Sequence, residues 1–87
     1  MTEAVFITAG TRTPMGGLQG SLKDLSAINL GATAITEAIN RAKIDPDRID
    51  EVVMGCVLPA GLGQGPARQA AMDAGIPVER GATTINK

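Results

Sequence analysis

An α/β layer on a mostly parallel sheet, with elements in the order β-α-β-α-β and helical crossovers, is the fold class this sequence predicts. Three observations carry it. Two short runs rich in strand formers, 4–9 and 51–58, are apolar almost throughout, as strands buried on both faces of a parallel sheet are. A stretch between them repeats its apolar residues at helical spacing. A second helical stretch then leads into the start of a third strand.

Ala4-Val5-Phe6-Ile7-Thr8-Ala9 reads as the first strand, ended by Gly10. The loop that follows, GTRTPMGGLQGSLKD, has four glycines and a proline, shows no period, and is longer than most connections in compact domains. Ser26 is a good N-cap, and Leu25 and Leu30 stand where a hydrophobic staple would clasp. Ile28, Ala32, Ile35, Ile39 and Ala42 then form one stripe, with Thr36, Asn40 and Lys43 on the other side. Gly31 and the small alanines would let this helix lie close against a sheet.

Asp45-Pro46-Asp47 starts a turn in which Asp45 caps a short helical step opened by Pro46. Glu51 to Leu58 reads as a second, mostly buried strand, and Pro59 to Gly65 as a loop. Pro66 opens the next helix, Gly75 closes it and Pro77 follows. In GATTINK, Thr83-Thr84-Ile85 begins a third strand. Three strands and two helices leave the second face of the sheet uncovered, so residues 1–87 are expected to be an incomplete part of a larger domain.

Composition supports that expectation. An 87-residue chain makes at most one small domain, burying roughly 60 to 65% of its unfolded surface. Phe6 is the sole aromatic, although aromatics usually supply the largest buried areas. Eight basic and nine acidic residues give a net charge of −1. With no basic cluster and no stacking platform, a nucleic-acid partner is not expected. The longest apolar run, Ala4 to Ile7, cannot span a membrane, and the acidic start Met1-Thr2-Glu3 lacks the features of a signal peptide. One cysteine excludes an internal disulfide, and the absence of histidine argues against structural zinc. The expectation is a soluble, cytoplasmic chain.

Four features invite a site. GLGQGPARQAA, 61–71, has the parts of a phosphate cradle. However, Gly61-x-Gly63-x-x ends in Pro66 rather than glycine, the loop follows the second strand, and no lysine is near, so neither nucleotide fingerprint is complete. Arg68 lies in the helix's first turn, where anions are attracted. Cys56 has no histidine to activate it and reads as a small hydrophobe inside an apolar strand. Arg12 stands near the C-terminal end of the first strand, where open α/β sheets bind ligands; it reads either as a ligand contact or as a surface arginine bonding loop carbonyls. Asp45, Asp47, Asp50 and Glu51 fit neither an EF-hand nor a catalytic pair and read as a solvated turn.

Taken together, AVFITAGTRTPMGGLQGSL, IDEVVMGCVLPAGLGQGPARQAAMDAGIPVERGATTINK and the helix between them resemble the N-terminal segment of a thiolase. The most specific pieces are G-x-G-Q-x-P-A-R-Q-A and the ATT-x-NK that follows at fixed distance. The resemblance implies two-step acyl transfer between coenzyme A thioesters through a cysteine acyl-enzyme. It implies that the nucleophile, in C-x-S-G, would follow Lys87 after one intervening residue. The activating histidine, the second cysteine and the coenzyme A loop would come later still. No catalytic, cofactor-binding or metal-ligating residue is therefore assigned within 1–87, and coenzyme A thioesters are expected as substrates of the parent enzyme rather than ligands of this segment. Cys56 aligns with a strand position, not with the nucleophile.

What the resemblance carries over is structural. Thr83, Thr84, Ile85 and Asn86 match the strand that delivers the nucleophile and lies at the dimer interface, and Gln64 and Arg68 match a region near the same interface. The expected partners are the rest of the thiolase chain and further copies, as a dimer or a tetramer. The competing reading is a short noncatalytic scaffold or assembly partner, with one half of a split thiolase lying between the two. A small nucleotide-binding module is disfavoured by the incomplete glycine fingerprint.

Overall fold

The computed structural model describes residues 3–87. Met1 and Thr2, part of the acidic start read above, lie outside the described residues. Helix α1 spans Ala27–Ala42, strand β1 Glu51–Gly55, helix α2 Pro66–Asp73 and strand β2 Gly81–Ile85, with a 3-10 turn at Pro46–Arg48. The two strands are parallel, in register from Glu51 opposite Gly81 to Gly55 opposite Ile85. With α2 as the crossover between them, the α/β class holds.

Helix α1 starts where its capping chemistry says it should. The Ser26 hydroxyl accepts from the Asn29 backbone N–H at 3.0 Å, and the Asn29 side-chain oxygen accepts from the Ser26 N–H at 3.0 Å. This reciprocal box satisfies two donors that a helix start leaves free. Ile28 and Ile39 are buried, Ala32, Ile35 and Ala42 half-buried, and Thr36, Asn40 and Lys43 exposed, as the apolar period requires. The Asp45 carboxylate accepts from the Asp47 N–H at 3.0 Å and so caps the 3-10 turn.

Helix α2 has Pro66 at its first position and ends in a Schellman motif. Gly75 takes φ +86° and donates to the Met72 carbonyl, while the Ile76 N–H reaches the Ala71 carbonyl at 3.0 Å. Ile76 thereby enters the core beside Ala71, with Ile39 and Val52. Ile35, Ile49 and Ala82 pack around this cluster. The layers meet closely: Ala67 and Ala70 are 0% exposed, and a Cβ built on Gly31 would stand 3.3 Å from Ala70 Cβ and from the Met54 terminal methyl.

Two expectations need correction. Residues 4–9 form no strand: Val5, Phe6 and Ile7 are 94%, 78% and 95% exposed, and β1 pairs with β2 alone among the described residues. A parallel strand buried on both faces needs a ladder partner and cover on two sides, and the two helices cover one face only. The Gly10 carbonyl, which accepts from Arg41 Nη1 at 3.1 Å, ties the end of this stretch to α1. β1, read as 51–58 and mostly buried, ends at Gly55 and alternates, Val52 buried and Val53 58% exposed. Its ladder stops where β2 stops, and its second face has no layer upon it.

Two stability effects follow. Gly31→Leu pushes α1 off Met54 and Ala70 and should destabilise the chain by about 1–3 kcal/mol, read as a lower urea midpoint at unchanged m-value. Ser26→Ala removes half of the capping box and should lower stability by about 1 kcal/mol, with the loss of helical signal on heating as the check.

Candidate functional site

In open α/β sheets, ligands bind beyond the carboxyl ends of the strands. Here that edge is formed by Gly55 and Cys56 leaving β1 and by Asn86 and Lys87 leaving β2. The two exits lie against each other. Cys56 N–H donates to the Ile85 carbonyl at 2.8 Å, and a Cβ built on Gly55 would stand 2.5 Å from the Lys87 carbonyl oxygen. A side chain at position 55 would thus displace the chain just where it leaves the sheet.

The first turn of α2 borders the same edge. The Ala67 N–H donates to Thr84 Oγ1 at 3.0 Å, filling one of the helix's free donors with a β2 side chain. Arg68 reaches the segment that enters β2, with Nη1 on the Arg80 carbonyl at 2.7 Å and Nη2 on the Val78 carbonyl. Gln69 Nε2 donates to the Leu62 carbonyl at 2.9 Å and the Gln64 carbonyl at 2.7 Å. Three consecutive residues therefore grip three separate places.

This settles how the glycine-rich stretch is built. Gly61, Gly63 and Gly65 all take positive φ, 78°, 80° and 53°, which is why glycine stands at each. The turn presents carbonyls inward to the Gln69 amide. The Ala67 N–H is taken by Thr84, and the Arg68 guanidinium is spent on carbonyls. Two of the groups an anion would use, the Ala67 N–H and the Arg68 guanidinium, are thus already engaged within the chain.

Of the residues singled out in the sequence, Gln64, Thr83, Ile85 and Asn86 are exposed. Thr83 and Ile85 share the open face of the sheet with Val53, Ile85 remaining 39% exposed. Thr84 and Arg68 are half-buried, their polar groups bonded inside the chain. Cys56 sits one residue past β1, half-buried, rather than inside the strand. Arg12 donates to the neighbouring Thr13 carbonyl at 3.2 Å, the loop-carbonyl bond of a surface arginine. Asp45, Asp47, Asp50 and Glu51 are exposed. Among the described residues, no three or more His, Cys, Asp or Glu stand close enough to share a metal ion, and no helix is long and apolar enough to cross a membrane.

Sequence reasoning missed Gln69 and Arg80. Arg80 Nη2 donates to the Asp47 carbonyl at 2.6 Å, tying the approach to β2 to the turn before β1. The partners of both side chains are backbone carbonyls, which no residue pattern marks. The available signal for Gln69 was the glycine turn itself, whose inward carbonyls need donors from a neighbour.

The comparisons with known proteins agree with this geometry. The family model described as thiolase, N-terminal domain, matches residues 5–87. An acetyl-CoA acetyltransferase of Clostridioides difficile is 56% identical over 82 residues, covering 94% of this chain and 77% of that one. The acetyl-CoA acetyltransferase of Escherichia coli (strain K12) is 53% identical over 87 residues, all of this chain and 22% of the relative. A thiolase from Ascaris suum, solved in complex with coenzyme A, superposes with a TM-score of 0.92 at 40% identity, over 94% of this chain and 22% of that one. Against these last two, the chain spans 22% of the relative's length. The match runs through both helices, both strands and the glycine turn, and the chain belongs to the thiolase family.

Proposed function

We propose that residues 1–87 are the N-terminal part of an acetyl-CoA C-acetyltransferase and are inactive by themselves. The observation that carries this reading is the exit of β2. Asn86 and Lys87 leave the carboxyl edge of a parallel sheet beside Gly55, in a chain 53% identical over its whole length to a relative of that name. A nucleophilic cysteine two positions beyond Lys87 would stand at this edge.

In the proposed reaction the cysteine thiolate attacks the carbonyl of an acetyl thioester, and the tetrahedral oxyanion collapses with loss of the coenzyme A thiolate. The carbon α to the carbonyl of a second acetyl-CoA, deprotonated by a base, then attacks the acyl-enzyme and expels the cysteine thiolate. The product is acetoacetyl-CoA, and the reverse direction is thiolysis by free coenzyme A. A thiolate suits both roles because it attacks and leaves well. Oxyanion donors supply the remaining stabilisation. Within 1–87 the contribution is a scaffold that positions the nucleophile's strand, in a cytoplasmic enzyme.

The same reading gives the open face of the sheet to a second copy of the chain. Thr83, Ile85 and Asn86 would contribute directly, Gln64 from the glycine turn, and Arg68 and Thr84 as the support behind them. An alternative reading is a short chain that works beside a separately encoded remainder.

Two measurements test these proposals. The full-length protein, incubated with acetyl-CoA, should gain the mass of one acetyl group on a cysteine beyond Lys87, whereas residues 1–87 alone should neither gain it nor thiolyse acetoacetyl-CoA. Turnover by the 87-residue chain would overturn the assignment. Ile85→Glu should shift the full-length protein toward smaller species in sedimentation velocity, because it places a charge on a face meant for apolar contact; an unchanged distribution would remove β2 from the interface.

A further inference from the structure

The five residues of β2, GATTI, have an inside-out pattern. Ala82 and Thr84 face the helices, while Ile85, the largest apolar side chain of the strand, lies on the open face. A slip of one residue would turn Ile85 and Thr83 inward and Ala82 and Thr84 outward, burying more apolar surface. The adjacent Thr83 would offer Ala67 the same kind of acceptor, so the bond to Thr84 holds the register only together with the Arg68 fork. Packing against the two helices alone thus does not select the observed register, and polar contacts of α2 add what it lacks.

We propose that the first turn of α2 is a two-point clamp that selects it, with Arg68 and Thr84 as positioning residues. At the upstream end, the planar fork of Arg68 spans the carbonyls of Val78 and Arg80, two residues apart on the segment that enters β2. A fork with fixed spacing reads the position of the chain as a lone point charge cannot. At the downstream end, the Ala67 N–H holds Thr84 Oγ1. Because the two donors come from consecutive residues of one helix, both ends of β2 refer to the same rigid element. A slipped strand would break the Arg68 pair and leave a half-buried guanidinium without those acceptors.

The functional consequence rests on the reading above, in which the nucleophile follows Lys87. Fixing β2 at Val78, Arg80 and Thr84 then fixes the reach and direction of Asn86 and Lys87, and through them the cysteine. Arg68 and Thr84 would act on the chemical step without touching substrate.

The test uses the full-length protein and the variants Thr84→Val, Thr84→Ser and Arg68→Met. Valine keeps the shape of threonine and its strand preference but cannot accept a hydrogen bond; serine restores the acceptor. Hydrogen exchange read by mass spectrometry should show residues 78–87 opening about tenfold more often in Thr84→Val and Arg68→Met, with 27–42 unchanged and Thr84→Ser near wild type. In steady-state kinetics the same two variants should lose about tenfold in kcat, with KM for acetyl-CoA within about twofold of wild type, and Thr84→Ser should recover most of the loss.

Wild-type exchange at 78–87 in Thr84→Val and Arg68→Met would overturn the clamp, as would equal loss of kcat in Thr84→Val and Thr84→Ser. If Arg68→Met does not fold, the isosteric Thr84→Val carries the exchange test alone. If the wild-type full-length protein forms no acetyl-enzyme, the functional reading falls, and exchange at 78–87 still decides for or against the clamp.

Discussion

The bond from the Ala67 N–H to Thr84 Oγ1 joins the start of a helix directly to the interior of a strand, and the rest of the structure is arranged around it. Pro66 begins the helix without an N–H of its own, so the next residue offers the first donor. Thr84 can meet that donor only if α2 lies near the sheet and β2 turns the threonine inward. Arg68 and Gln69 extend the grip to the segment before β2 and to the glycine turn before α2. One helical turn thus ties down both ends of β2 and the glycine turn that follows β1.

That geometry gives the shortage of aromatics a physical role. The buried face of α2 is built from Ala67, Ala70 and Ala71, at 0%, 0% and 2% exposure, and α1 meets it through Gly31. Side chains this small contribute little burial each, and the core is correspondingly modest. In return the helix backbone approaches within hydrogen-bond range of a strand side chain. A leucine at position 67 or 70 would bury more surface, yet it would lift the helix and break the bonds of Ala67 and Arg68 together. Close approach, not large burial, is what the site needs.

How much of this was legible in the sequence depends on whether the information was local. Ser26, Asp45, Pro66 and Gly75 announce helix ends because capping involves residues within a few positions, and each stands where the structure places an end. The α1 stripe was equally readable, since a 3.6-residue period marks the face that packs. Residues 4–9 show the opposite. Their composition suits a buried strand, but pairing is a long-range property, and in this structure Val5 to Ile7 meet no ladder. β1 was overextended for the same reason: its length is set by β2, some 30 residues away, and not by Cys56-Val57-Leu58. The clasps of Arg68, Gln69 and Arg80 end on backbone carbonyls and left no trace in residue spacing.

The glycine turn shows how the same residues can mislead about function while serving it. Positive φ at 61, 63 and 65 was required, and a phosphate cradle and a carbonyl-lined turn both require it. What separates them is where the polar groups go. A cradle leaves N–H groups free and a cation nearby; here Thr84 takes the Ala67 N–H, and Arg68 is held by two carbonyls more than ten residues from the loop's start. Loop, helix start and strand are consequently a single mechanical unit. Its natural product is a fixed direction for the chain leaving β2, which is what a nucleophile borne just beyond that strand would need.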